Sequence, residues 1–130
     1  MSRRLSVVIL ILTAVSALAV PLVAHHSFAA TYVEDKQQTI EGDLVTFVFR
    51  NPHSFVHVEV ADPGGEKIRY AVEWASGSSL NGQGITRETL KAGDHVIVVG
   101  QPGRNDEDHR MRMKSINRPS DGWKWSGTFQ

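Results

Sequence analysis

Ser54-Phe55-Val56-His57-Val58-Glu59-Val60-Ala61, the turn Asp62-Pro63-Gly64-Gly65, and Lys67-Ile68-Arg69-Tyr70-Ala71-Val72-Glu73-Trp74-Ala75 together decide the fold. Successive side chains of a strand point to opposite faces, so a two-residue apolar period marks a half-buried strand. In the first segment that period sends Val56, Val58 and Val60 to one face and His53, Phe55, His57 and Glu59 to the other. In the second it sends Ile68, Tyr70, Val72 and Trp74 inward and Arg69, Ala71 and Glu73 outward. The Pro-Gly-Gly connection turns the chain back on itself, and the result is a hairpin with one apolar face.

Upstream, Thr39 to Phe49 is rich in β-branched and aromatic residues and is broken by Arg50-Asn51-Pro52, which makes it a first long strand with Gly42 as a candidate bulge. Downstream, Ser76 to Gly84 reads as a Gly/Ser/Asn linker. Thr86 to Gly93 carries a threonine cap, an acidic first turn and a closing glycine, the pattern of a short helix. His95 to Gly100 is a buried-type fourth strand, Gln101 to Asp108 a polar loop, and His109 to Arg118 a fifth strand with Met111, Met113 and Ile116 set against basic residues. Three strands, a helix and two strands is the chain order of the OB-fold, a small five-stranded Greek-key barrel. A meander sheet with one covering helix would bury the same valines.

The predicted fold is therefore mainly β, an OB-like domain over residues 39–118 with one short helix between strands three and four. An extended arm over 25–38 precedes it, and an aromatic tail over 119–130, with Trp123, Trp125 and Phe129, follows. Residues 1–24 read as a signal peptide: Arg3 and Arg4 form the basic start, Leu5 to Val20 is almost wholly apolar, and Leu22-Val23-Ala24 is a small-residue cut site. An uncleaved anchor is the competing reading, but Pro21 favours processing and hence no membrane span in the mature chain. Ser2-Arg3-Arg4-Leu5 has a twin-arginine look, while the apolar run that follows suits the general secretory route. The expected location is periplasmic or secreted.

The chain carries 14 basic and 14 acidic residues, two of the basic ones in the leader, so the mature part is slightly acidic. That balance argues against nucleic acid. With no cysteine there is no disulfide and no thiolate, and any metal must be held by nitrogen and oxygen. Ser76, Ser78 and Ser79 lack a nucleophile elbow, and the Gly77 to Gly84 stretch lacks the lysine and spacing of a phosphate loop. The chain reads as a binding module rather than an enzyme.

The six histidines carry the site expectation. Cleavage after Ala24 would make His25 the terminal residue, with an α-amine and an imidazole on one residue. One more imidazole completes a histidine-brace type of set, suited to Cu(II) or another divalent metal. The candidate ligands are His25, His26, His53 and His57, the last two on one strand face, with Glu73 of the neighbouring strand as ligand or orienting carboxylate. His95 and His109 sit at strand starts and are weaker candidates. A metal-free alternative is an envelope module that recognises a protein or small ligand through the outer face of strands two and three, using Phe55, Arg69 and the tail tryptophans.

His25-His26-Ser27-Phe28, Asn51-Pro52-His53, Ala71-Val72-Glu73-Trp74 and Thr86-Arg87 through Leu90-Lys91-Ala92-Gly93-Asp94 together resemble an uncharacterised family of small exported bacterial proteins, a domain of unknown function. The resemblance extends to about Arg118 and leaves out the Gly77 to Gly84 linker and the tail. It implies a periplasmic or secreted β-barrel-like domain and no particular activity.

Overall fold

The computed structural model describes residues 27–129. Six strands form in chain order: β1 Gln38–Val48, β2 Phe55–Ala61, β3 Lys67–Glu73, β4 His95–Pro102, β5 Arg110–Arg118 and β6 Trp123–Ser126. A one-turn helix α1, Phe28–Thr31, precedes them; a second, α2, Gly77–Gly82, lies between β3 and β4; and a 3-10 turn, Asp106–Asp108, precedes β5. The sheet order is β3-β2-β1-β4-β5-β6, and a parallel pairing of β3 with β5 (Ala71 to Glu73 against Arg110 to Arg112) closes the first five strands into a barrel. The expected mainly β, five-stranded barrel is the observed one, with β6 added outside on β5.

Closure depends on β1, an eleven-residue strand that serves both halves of the barrel. Its first half, Gln38 to Asp43, pairs with β4, and its second half, Asp43 to Val48, pairs with β2. Gly42 stands where the strands cross most closely, because a Cβ there would collide with the carbonyl oxygen of Glu59. The bulge expected at Gly42 lies just beyond it, between Leu44 and Thr46. Close approach, rather than an extra residue, is what requires that glycine.

The alternation in the β2–β3 hairpin does what its period demands. Val56, Val58, Val72 and Trp74 are fully buried and join Val96, Val98, Met111, Met113 and Ile116 in one core. Burying a branched aliphatic side chain contributes about 2 kcal/mol, and a cysteine-free barrel must draw its stability from such terms.

The helix between β3 and β4 occupies Gly77–Gly82, not Thr86 to Gly93 as the cap pattern suggests. Ser76 caps α2 by accepting from the Ser79 amide at 3.1 Å, and fully buried Leu80 anchors it. In the later segment, Thr89 Oγ1 accepts from the Thr86 amide at 2.9 Å and Thr86 Oγ1 from the Glu88 amide at 3.3 Å. The Gly93 amide donates to Leu44 O and Leu44 N to Asp94 O, both at 2.8 Å. Side-chain turns and the edge of β1 thus claim the backbone groups a helix would need.

Both ends of the described chain pack on the barrel. Tyr32 is fully buried, and the tail supplies β6, with Trp125 edge-on to Trp74 at 5.1 Å and Phe129 buried. Arg112 holds the two ends together. Its guanidinium lies 3.6 Å from the Phe28 ring centre, one nitrogen donates to Phe129 O, and another is 3.5 Å from Glu34 Oε1. Arg112 therefore is buried, whereas the alternation of the fifth strand would leave it in solvent.

Candidate functional site

Glu73 ends β3 on the face opposite the core, yet only 7 % of it is exposed, because α1 and Tyr32 lie over it. A buried carboxylate needs partners. Among the described residues Glu73 has three: His53 Nδ1 on one oxygen, and on the other the Tyr32 hydroxyl, which donates, and Arg110 Nη2 at 3.4 Å. Burial and the hydrogen bond to Glu73 push the Tyr32 hydroxyl pKa well above its ordinary value. It stays a neutral donor at any physiological pH.

The loop carrying His53 is locked from several sides. Fully buried Ser54 continues the β2–β3 ladder, its amide donating to Ala75 O at 3.0 Å and its carbonyl accepting from Trp74 N at 2.8 Å. Ser54 Oγ donates to Arg50 O at 3.1 Å, and Asn51 Oδ1 accepts from the Ser78 amide at 3.0 Å, which ties the Asn-Pro-His turn to α2. The imidazole then stacks on Phe28 at 5.6 Å and meets the edge of Phe129 at 6.2 Å. With Nδ1 on Glu73, Nε2 makes no hydrogen bond among the described residues.

Ser27, Phe28, Thr31, Tyr32, Pro52, His53, Glu73 and Arg110 line a small pocket of about 260 Å³. Of the sequence candidates, the structure brings His53 and Glu73 together. His25 and His26 lie outside the described residues. His57 shares the strand face of His53 but sits beyond Phe55, whose ring is 6.4 Å from its own, and lines a separate depression. Burial and the nearby Arg69 and Arg50 guanidiniums hold its imidazole below the usual pKa. His95, exposed on β4, bonds Asp43 through Nδ1 at 2.8 Å and Glu41 through Nε2 at 2.9 Å, and these carboxylates raise its pKa. His109 takes a left-handed conformation (φ 45°) beside Tyr70. Among the described residues, no three His, Asp or Glu side chains gather closely enough to hold a metal ion by themselves.

Tyr32, Arg110, Arg112 and Phe129 are the site residues that sequence reasoning missed. Tyr32 lies in a segment without periodicity, 41 positions from its partner Glu73, and no local pattern links the two. One local signal did exist, since a glutamate inside Ala-Val-Glu-Trp-Ala is flanked by residues that all prove buried or nearly so.

No curated protein matches the chain. Residues 13–112 do match a family of unknown function, DUF6152, and with that span covering most of its length the chain belongs to this family.

Proposed function

We propose that the protein is an exported, non-enzymatic binding module for a divalent transition metal, Cu(II) above all. The ligands would be the amine and imidazole of His25, exposed by cleavage after Ala24, together with His53 Nε2 and with His26 as a further imidazole. The observation that carries this reading is that Ser27, which directly follows His25-His26, lines the same pocket as the His53–Glu73 pair. Consecutive Cα atoms are about 3.8 Å apart, so the length of chain between Ser27 and either preceding histidine is short enough to permit such a site.

The donor chemistry supports it as well. An imidazole whose Nδ1 is fixed on a buried carboxylate presents Nε2 in a set orientation, the usual outer support of a metal-bound histidine. An all-nitrogen set suits Cu(II). Arg110 opposes a second cation, and Glu73 offsets that charge at 3.4 Å. His57 takes no part.

The test is a Cu(II) titration of protein beginning at His25, alongside a form with one extra N-terminal residue and the variant His53→Leu. Both alterations should weaken copper at least about tenfold. Equal affinity in the extended form removes the terminal amine from the site, and equal affinity in His53→Leu removes the pocket.

A further inference from the structure

The outer face of β2 and β3 carries a second concavity, of about 620 Å³, which the metal reading does not use. Val48, Phe55 and Ala71 supply its apolar surface, and Arg50, His57, Asp108 and Arg110 its polar groups. An apolar hollow with a few convergent polar groups is the usual form of a small-molecule site.

Among the polar groups positive charge predominates, with two guanidiniums against one carboxylate. Arg50 and Arg110 both lie over the same ring, their guanidinium carbons 5.4 and 6.0 Å from the Phe55 centroid. Arg110 has Glu73 as its carboxylate partner. Arg50 donates through Nε to His53 O at 3.3 Å, which fixes its fork, and among the described residues it has no carboxylate partner. Arg69, the next guanidinium along β3, is 3.6 Å from Glu59. Among the described residues Asp108 is the one carboxylate lining the hollow, and it accepts from Asn105 Nδ2 at 3.1 Å within its own loop. The depressed His57 pKa has burial as its first cause and Arg69 and Arg50 next, with no carboxylate opposing them.

We infer that this hollow binds a small organic anion, a carboxylate carried on a flat apolar body. The carboxylate is held by the Arg50 fork beside Arg110, and the apolar body lies against Phe55, Val48 and Ala71. A guanidinium fork matches a carboxylate with two parallel hydrogen bonds, and stacking on an aromatic ring holds the fork flat. A bound anion also relieves the repulsion between two cations sharing one ring. His57, kept neutral, completes the wall as a hydrogen-bond partner. This hollow shares Arg110 with the metal pocket, but the inference uses none of the proposed copper ligands and requires no copper.

The probe is benzoate, followed by the NMR shifts of the Phe55 and His57 rings in copper-free protein, with benzamide as the uncharged shape match and inorganic phosphate as the anion without an apolar body. Benzoate should give saturable shifts at millimolar concentration, and benzamide and phosphate should each bind at least about tenfold more weakly. Arg50→Gln should lose about tenfold in benzoate affinity, whereas Arg87→Gln, which alters an exposed arginine stacked on Phe49 in a different depression, should lose none. Benzamide binding as tightly as benzoate, or equal losses in the two variants, overturns the anion; phosphate binding as tightly overturns the apolar body. The comparison of the three probes needs no variant, so it decides the matter even if Arg50→Gln fails to fold.

Discussion

His53 with Glu73 and His95 with Glu41 and Asp43 are the same chemical pair, an imidazole against carboxylate, in two parts of one barrel. At the first, the carboxylate is buried and also receives a tyrosine hydroxyl and a guanidinium. At the second, all three side chains are half exposed or more, and each imidazole nitrogen meets its own carboxylate. Burial makes the difference. A carboxylate shut away from water depends on every partner it has, whereas exposed partners are exchanged for water at little cost. The first cluster therefore fixes a side chain in position, and the second contributes mainly a pH-dependent increment to the pairing of β1 with β4.

The largest effect that could break this contrast is removal of the buried carboxylate. Glu73→Ala should destabilise the protein by about 3 kcal/mol in urea denaturation, because Tyr32 and Arg110 lose their shared acceptor. Glu41→Ala should cost no more than about 0.5 kcal/mol. Similar losses at the two sites would erase the distinction.

Tyr32→Phe sharpens it at smaller scale. The buried hydroxyl has one strong acceptor, and its loss should cost about 1 kcal/mol while leaving the barrel spectrum unchanged. A neutral result would mean that Arg110 and His53 alone satisfy Glu73.

The smallest effect is the pH dependence of His95. Its pKa is raised above the usual 6.5 by Glu41 and Asp43, so the folded state binds the proton more tightly than the unfolded chain. The increment is thus complete below about pH 6.5 and is lost as pH rises through the folded pKa. Melting temperatures of the native protein and His95→Gln should differ most near pH 5.5 and converge near about pH 8.5. A ring titration by NMR should place His95 above the usual value and His57 below it; the reverse order would undo the electrostatic account of both faces.

Much of the barrel was legible in advance because its evidence is periodic. Val56, Val58, Val72 and Trp74 declare the inner face by strict alternation, and a two-residue period survives whatever the neighbouring strands do. The helix was misplaced for the opposite reason. The Thr86 to Gly93 segment has the residues of a helix, but its backbone groups are taken by local side chains and by Leu44 of β1. Ser76 to Gly84 looks like a linker by composition and still forms a turn of helix, because Ser76 caps it and Leu80 has a core to enter. Half of the candidate site was equally legible: the outward parity of His53 and Glu73 on neighbouring strands puts them side by side. The other half, Tyr32 and Arg110, reaches Glu73 only through the arm lying across the barrel and the parallel closure of β3 on β5.

What the amino-acid sequence determined by itself is the five strands of the barrel, the inner face of the hairpin and the nitrogen-and-oxygen character of any metal site, since each follows from residue type and short spacing; β6 in the tail was not among them. Tertiary structure alone decided that Glu73 is buried, that Arg112 joins both chain ends, and that Arg50 and Arg110 meet over Phe55. Those outcomes depend on contacts between segments dozens of residues apart, and no local pattern records which distant side chain will exclude the water.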